Sequence, residues 1–285
     1  MSPDIGKKVP ILDNHMHLDL EGHCVEAAKE FEKAGGTAIM LVDKPKWSLM
    51  RSDAGMREQY GTTLRIADMV RQGTGLTVFV TLAPHPALLP QLVKEMSLGD
   101  AVALMRKGID IAAGLVSERK VVALGEVGRP HFPVPEEIME ASNAILVYAM
   151  ERAKDVGCPV TLHTESSTEE TFKFLAGLAD KVGIKRDKVI KHFSPPMVDE
   201  RLNQGLFPSI VASKDSIDKA LTQGDRFLME TDYLDDMKRP GAVMGPKTVP
   251  KRTLDMLKTG KMTEGQAIRI HKEHPERIYS IELPG

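Results

Sequence analysis

A chain of 285 residues with 42% apolar and 27% charged residues has the make-up of an ordinary globular protein able to bury a large core. Its 38 basic and 40 acidic side chains leave a formal charge of −2, which argues against coating nucleic acid by bulk charge and leaves room for a local basic groove. Two cysteines, Cys24 and Cys158, exclude a disulfide framework and have no partners at zinc-finger spacing, so both read as small core thiols.

Short β-branched or apolar runs alternate with longer segments of helical period. In chain order the strands fall near residues 9–15, 37–42, 76–82, 121–126, 159–163, 188–192, 206–211 and 227–232. Helices fall between them near 25–34, 56–71, 101–118, 135–156, 168–182, 198–204 and 217–222, and two more close the chain near 250–258 and 263–272. Eight strands separated by helices, several apolar on both faces (Val121-Val122-Ala123-Leu124), predict a parallel (β/α)8 TIM barrel; an open doubly wound sheet is the alternative. No linker-like stretch divides the chain, so residues 1–285 are expected to form one barrel domain. Met1-Ser2-Pro3-Asp4 has no signal-peptide character and no apolar run approaches about 18 residues, so the expected location is cytoplasmic, without a membrane partner.

The residues that carry chemistry sit at strand ends. His15 and His17 in Asp13-Asn14-His15-Met16-His17 end the first strand, Glu126 the fourth, His163 the fifth, His192 the sixth and Asp232 the eighth. Alternate residues of a strand share a face, so His15 and His17 can hold one ion. In a barrel all six residues gather at the C-terminal rim, where four imidazoles and two buried carboxylates call for a cation. His23, His85, His131, His271 and His274 form no comparable set in the sequence. Such ligands suit zinc, manganese, cobalt or iron, with magnesium less favoured by so many imidazoles.

In order and context these residues resemble the TatD family of metal-dependent hydrolases, within the amidohydrolase superfamily, and most closely its archaeal TatD-related branch. Asn14-His15-Met16-His17, Gly125-Glu126-Val127-Gly128, His163, His192-Phe193-Ser194 and Glu230-Thr231-Asp232 match the family's motifs, as does the closing His274-Pro275-Glu276-Arg277-Ile278. The resemblance implies a TIM barrel with one or two divalent ions and hydrolysis of phosphodiesters, including those at DNA or RNA ends. His15, His17 and Asp232 would hold one ion, His163 and His192 a second, with Glu126 bridging and a metal-activated water attacking. Asp232 reads either as general base or as a ligand alone. Gly128-Arg129-Pro130 departs from the family's Gly-Leu-Asp, and Tyr233-Leu234 from its Pro-Tyr-Leu. The alternative keeps the metals and turns them on a lactone, an amide or an amino-heterocycle.

Substrate contacts are sought in the loops beyond the strands. Lys44, Lys46, Arg129, Lys238, Arg239, Lys247, Lys251 and Arg252 are candidates to face phosphate oxygens, Trp47 to stack a ring, and Glu165 to orient a ligand or Arg129. Among these, Arg129, Lys44, Trp47 and Glu165 are the residues assigned to substrate binding. The oligomeric state is not legible.

Overall fold

The computed structural model describes residues 9–284; Met1-Ser2-Pro3-Asp4 lies outside them. Its strands are β1 (Leu12–His17), β2 (Ala38–Val42), β3 (Thr77–Leu82), β4 (Ala123–Gly128), β5 (Val160–His163), β6 (Val189–Lys191), β7 (Phe207–Val211), β8 (Leu228–Glu230) and β9 (Tyr233–Leu234). All pair in parallel in the order β8-β7-β6-β5-β4-β3-β2-β1-β9. The chain runs from β8 through Asp232 into β9, which lies against β1, so the two ends of the sheet meet and a distorted TIM barrel results. Asp13 reinforces the join: its carboxylate accepts the Thr231 amide at 3.0 Å and the Thr231 hydroxyl at 2.6 Å.

The helices are α1 (Val25–Lys33), α2 (Asp53–Gly73), α3 (Leu89–Leu92), α4 (Leu98–Ser117), α5 (Glu136–Val156), α6 (Glu169–Val182), α7 (Glu200–Asn203), α8 (Lys214–Leu221), α9 (Thr248–Lys258), α10 (Glu264–Ile268) and α11 (His274–Tyr279). Their ends follow local chemistry. Ser52 and Ser97 cap α2 and α4 by accepting the amides of Gly55 and Asp100, and Thr168 forms a capping box with Thr171 at the start of α6. Gly157 and Gly183 end α5 and α6 at φ 74° and 76°, a left-handed conformation that suits glycine. No helix among the described residues is long and apolar enough to cross a membrane.

Apolar packing occupies both sides of the sheet. Phe31, Met56, Tyr60, Phe172 and Leu175 fill the space under the helices, while Met40, Val42, Ala123, Ile190, Phe207 and Leu228 form a separate cluster with Ile278 and Tyr279 of α11. Cys24 and Cys158 are buried and unbridged. The sequence reading missed α3, β9 and α11: α3 has only four residues and β9 two, and α11 begins at a proline-containing tail with no amphipathic run of its own.

Two strands that carry candidate ligand residues depart from regular pairing. The register shifts between Asp13 and Met16 on β1 and between Leu124 and Val127 on β4, irregularities that re-aim side chains near His15 and Glu126. Glycine permits the second one. A methyl group on Gly125 would stand 2.6 Å from Thr161 Cβ, and one on Gly128, whose φ is 141°, would stand 2.1 Å from the His163 carbonyl oxygen. Gly125→Ala is therefore expected to destabilise the protein by about 1–3 kcal/mol through overpacking. Gly177→Ala, inside α6 with open space around it, should stabilise by roughly 1 kcal/mol. Chemical denaturation of both variants checks the contrast, and equal effects would contradict it.

Candidate metal centre

β1 delivers two imidazoles to one point: His15 Nε2 and His17 Nε2 lie 3.2 Å apart. The other nitrogen of His17 lies 3.2 Å from the Val42 carbonyl oxygen and 3.0 Å from that of Asp43. Carbonyls only accept, so Nδ1 carries the hydrogen and Nε2 keeps a lone pair turned to the centre. Just beyond β6, His192 Nδ1 lies 2.8 Å from Glu230 Oε1, off the ideal hydrogen-bond line, and Nε2 faces inward.

Glu126 stands in the middle, its side chain only 4% exposed, and its two oxygens divide the histidines. Oε2 lies 3.6 Å from both His15 Nε2 and His17 Nε2. Oε1 lies 2.9 Å from His163 Nδ1, 3.5 Å from His192 Nε2 and 4.0 Å from His85 Nε2. Asp232 Oδ1 completes the first set, 3.9 Å from His15, 3.6 Å from His17 and 3.9 Å from His192. Asp232 itself has φ 51°, a left-handed kink that aspartate tolerates better than most residues, and this kink turns the chain from β8 into β9.

This donor set fits a divalent cation. Lone pairs of His17 and His192 face carboxylate oxygens, acceptor against acceptor, at spacings mostly too long for hydrogen bonds. Donors placed about 2.0–2.2 Å from one tetrahedral ion stand roughly 3.4 Å from one another, close to the observed spacing. Three overlapping groups meet the demand: His15, His17 and Asp232; His15, Glu126 and His192; and His85, Glu126 and His163. The electrostatics agree. Burial opposes charge on Glu126 and Asp232, yet the neighbouring imidazoles outweigh it and hold Glu126 well below, and Asp232 below, the usual carboxylate range. Burial also opposes charge on His15, but Glu126, Glu230 and Asp232 raise it to about 9, whereas burial dominates at His85 and lowers it to about 3.

His85, set aside in the sequence, thus enters the second group. It follows β3 by three residues, between Pro84 and Pro86, and its ring meets that of His163 at 4.5 Å between centroids. His131 is also drawn in, with Nδ1 2.8 Å from His163 Nε2. Position beyond a strand end was the only signal either offered. His23, His271 and His274 have no place in these groups: His271 is buried between Thr253 and the Leu12 carbonyl, and His274 meets the Asp225 carbonyl.

Of the residues assigned to substrate, Trp47 borders the centre through an edge contact with His85 at 5.9 Å. It also lines a groove of about 490 Å³ with Lys44, Lys46, Met237 and Lys238. Five cations of the rim are engaged with acids. Lys44 binds Asp19 at 2.7 Å and the Asp235 carbonyl, Lys46 binds Glu21 at 2.6 Å, and Arg129 pairs with Glu165 while lying over the Phe174 ring. Arg239 pairs with Asp236 and Lys247 with Glu30.

The sequence matches the family described as TatD related DNase over residues 12–280. The chain belongs to this family of hydrolases. An uncharacterized protein of Methanocaldococcus jannaschii is 42% identical over 286 residues, covering 98% of this chain and 99% of that one. Among solved structures, a TatD homologue from Escherichia coli superposes with a TM-score of 0.66 at 16% identity, covering 95% of this chain and 98% of the other. A mutant PTE-like lactonase from Deinococcus radiodurans gives a TM-score of 0.63 at 16% identity, covering 96% and 97%. At such identity the last two speak for the shared fold.

Ion binding should be visible as stability. Zinc or manganese at a hundred times its dissociation constant is expected to add about 2.7 kcal/mol to folding, and a chelator to remove it. Asp232→Asn, which keeps a side chain tolerant of the left-handed kink, should lose much of that gain. Thermal unfolding with and without ion measures both; a melting temperature indifferent to ions in the unaltered protein would contradict the assignment.

Proposed function

We propose that this protein is a divalent-metal-dependent hydrolase that cleaves phosphoester bonds by activating water. The observation that carries the reading is the division of Glu126: Oε2 toward His15 and His17, Oε1 toward His163, His192 and His85. A carboxylate so placed can bridge two cations, the arrangement of two-metal hydrolases. When bound, such ions lower the pKa of a coordinated water and offset the negative charge that develops in the displacement. His15, His17 and Asp232 would hold the first ion and His163 and His85 the second, with His192 between them. Asp232 is ionised at neutral pH and has an oxygen within the centre, so it can take the proton of the attacking water.

Substrate binding is assigned to Trp47, Lys44, Arg129 and Glu165. Trp47 supplies an exposed face beside His85 on which a base or ring can stack. The pairing of Arg129 with Glu165 and of Lys44 with Asp19 leaves the mouth nearly neutral, which favours a compact phosphodiester or a nucleic-acid end over a long duplex. The same neutrality, with Leu20, Trp47, Phe193 and Met237 exposed beyond their strands, favours as second reading a carbonyl substrate such as a lactone or amide.

Turnover of an activated phosphodiester by ion-loaded protein separates these readings. The expected result is hydrolysis that a chelator abolishes and that Glu126→Gln reduces at least about a hundredfold, beyond the loss usual for residues that only support a ligand. Absence of turnover in protein shown to hold its ions, with hydrolysis of a lactone instead, would replace the first reading by the second. Trp47 is the only tryptophan, so its fluorescence should change when a ring-bearing ester binds.

A further inference from the structure

Beneath the ligands lies a buried polar layer that ties the C-terminal helix to His192. The Tyr279 hydroxyl donates to Asn14 Oδ1 at 2.9 Å, and Asn14 Nδ2 donates to Ser209 Oγ at 3.0 Å. Ser209 in turn donates to Glu230 Oε2. The other oxygen of Glu230 accepts the Phe193 amide at 2.8 Å and lies 2.8 Å from His192 Nδ1, off the ideal hydrogen-bond line. All five side chains are buried, and the run crosses α11, β1, β7 and β8 to end just beyond β6.

Each link has one direction. A tyrosine hydroxyl bound to Asn14 Oδ1 turns the amide so that its N–H₂ meets Ser209. Ser209 has one hydrogen, and with its oxygen already accepting, that hydrogen goes to Glu230. Glu230 is left as acceptor at both oxygens, so His192 must carry its hydrogen on Nδ1 and present the Nε2 lone pair to Glu126 and Asp232.

We propose that Tyr279, Asn14 and Ser209 are positioning residues for the metal centre, fixing through Glu230 the tautomer and ring orientation of His192. The C-terminal helix is thereby part of the apparatus that holds the ion, although Tyr279 touches no ligand. This inference rests on the metal-centre reading and is independent of which ester is cleaved.

The test is Co²⁺ binding, followed by competition with a chromophoric chelator and by the visible spectrum of the loaded protein. Glu230→Gln should weaken Co²⁺ about 10–100-fold, and Tyr279→Phe and Ser209→Ala about tenfold, each with altered ligand-field bands. Tyr279→Phe combined with Glu230→Gln should bind no more weakly than Glu230→Gln alone, because one chain of bonds is being cut twice. Leu175→Ala, a cavity in α6 away from the centre, should lower the melting temperature and leave affinity and spectrum unchanged. Should Glu230→Gln fail to fold, the two milder variants decide. Wild-type affinity and spectrum in both Tyr279→Phe and Ser209→Ala would overturn the proposal while leaving the metal centre standing. An unaltered protein that binds no Co²⁺ would overturn both.

Discussion

Glu126 is a buried carboxylate within 4.0 Å of five histidine side chains, with Asp232 reaching three of the same rings. An arrangement of this kind needs positive charge. Without it two anions would stand in a low-dielectric interior and imidazole lone pairs would face carboxylate oxygens, a configuration whose cost protons or cations must offset. Much of the local backbone serves that requirement. The shifts of register on β1 and β4, the close fit around Gly125 and Gly128, and the left-handed turn at Asp232 all lie at or beside residues of the candidate centre.

The barrel and its rim were largely legible in the sequence because both leave short-range traces. Parallel strands buried on two faces read as apolar runs, and a histidine or acid at the end of such a run is conspicuous. Asp13, by contrast, looked like an ordinary member of its motif, and its role in joining β1 to Thr231 emerges only when the barrel closes. His85 depended on how Pro84 and Pro86 shape the chain beyond β3, a matter of tertiary packing that spacing does not encode. Tyr279 reaches Asn14 across 265 positions of sequence, and no local pattern announces such a contact. Rim charges were legible as residues, whereas their pairing with Asp19, Glu21 and Glu165 was not, since each acid comes from a different loop than its cation.

Those pairings bear on how a family site is adapted. Cations that salt-bridge within the protein offer less to a polyanion than free ones, and the desolvated Arg129 exchanges Glu165 for a substrate anion only if the new contact is as good. The layers of the barrel divide the work. Apolar side chains with Ile278 fill one layer, the Tyr279–Glu230 run spans the next, and the ligands lie above, so precision at the rim derives from groups well below it.

Anomalous diffraction from crystals loaded with zinc or manganese, recorded on both sides of the absorption edge, addresses the central claim most directly. The account predicts ion density on either side of the Glu126 carboxylate, one ion within bonding distance of His15, His17 and Asp232 and the other of His163 and His85. Density elsewhere on the molecule, or an empty centre in crystals whose ion content is established, would contradict it.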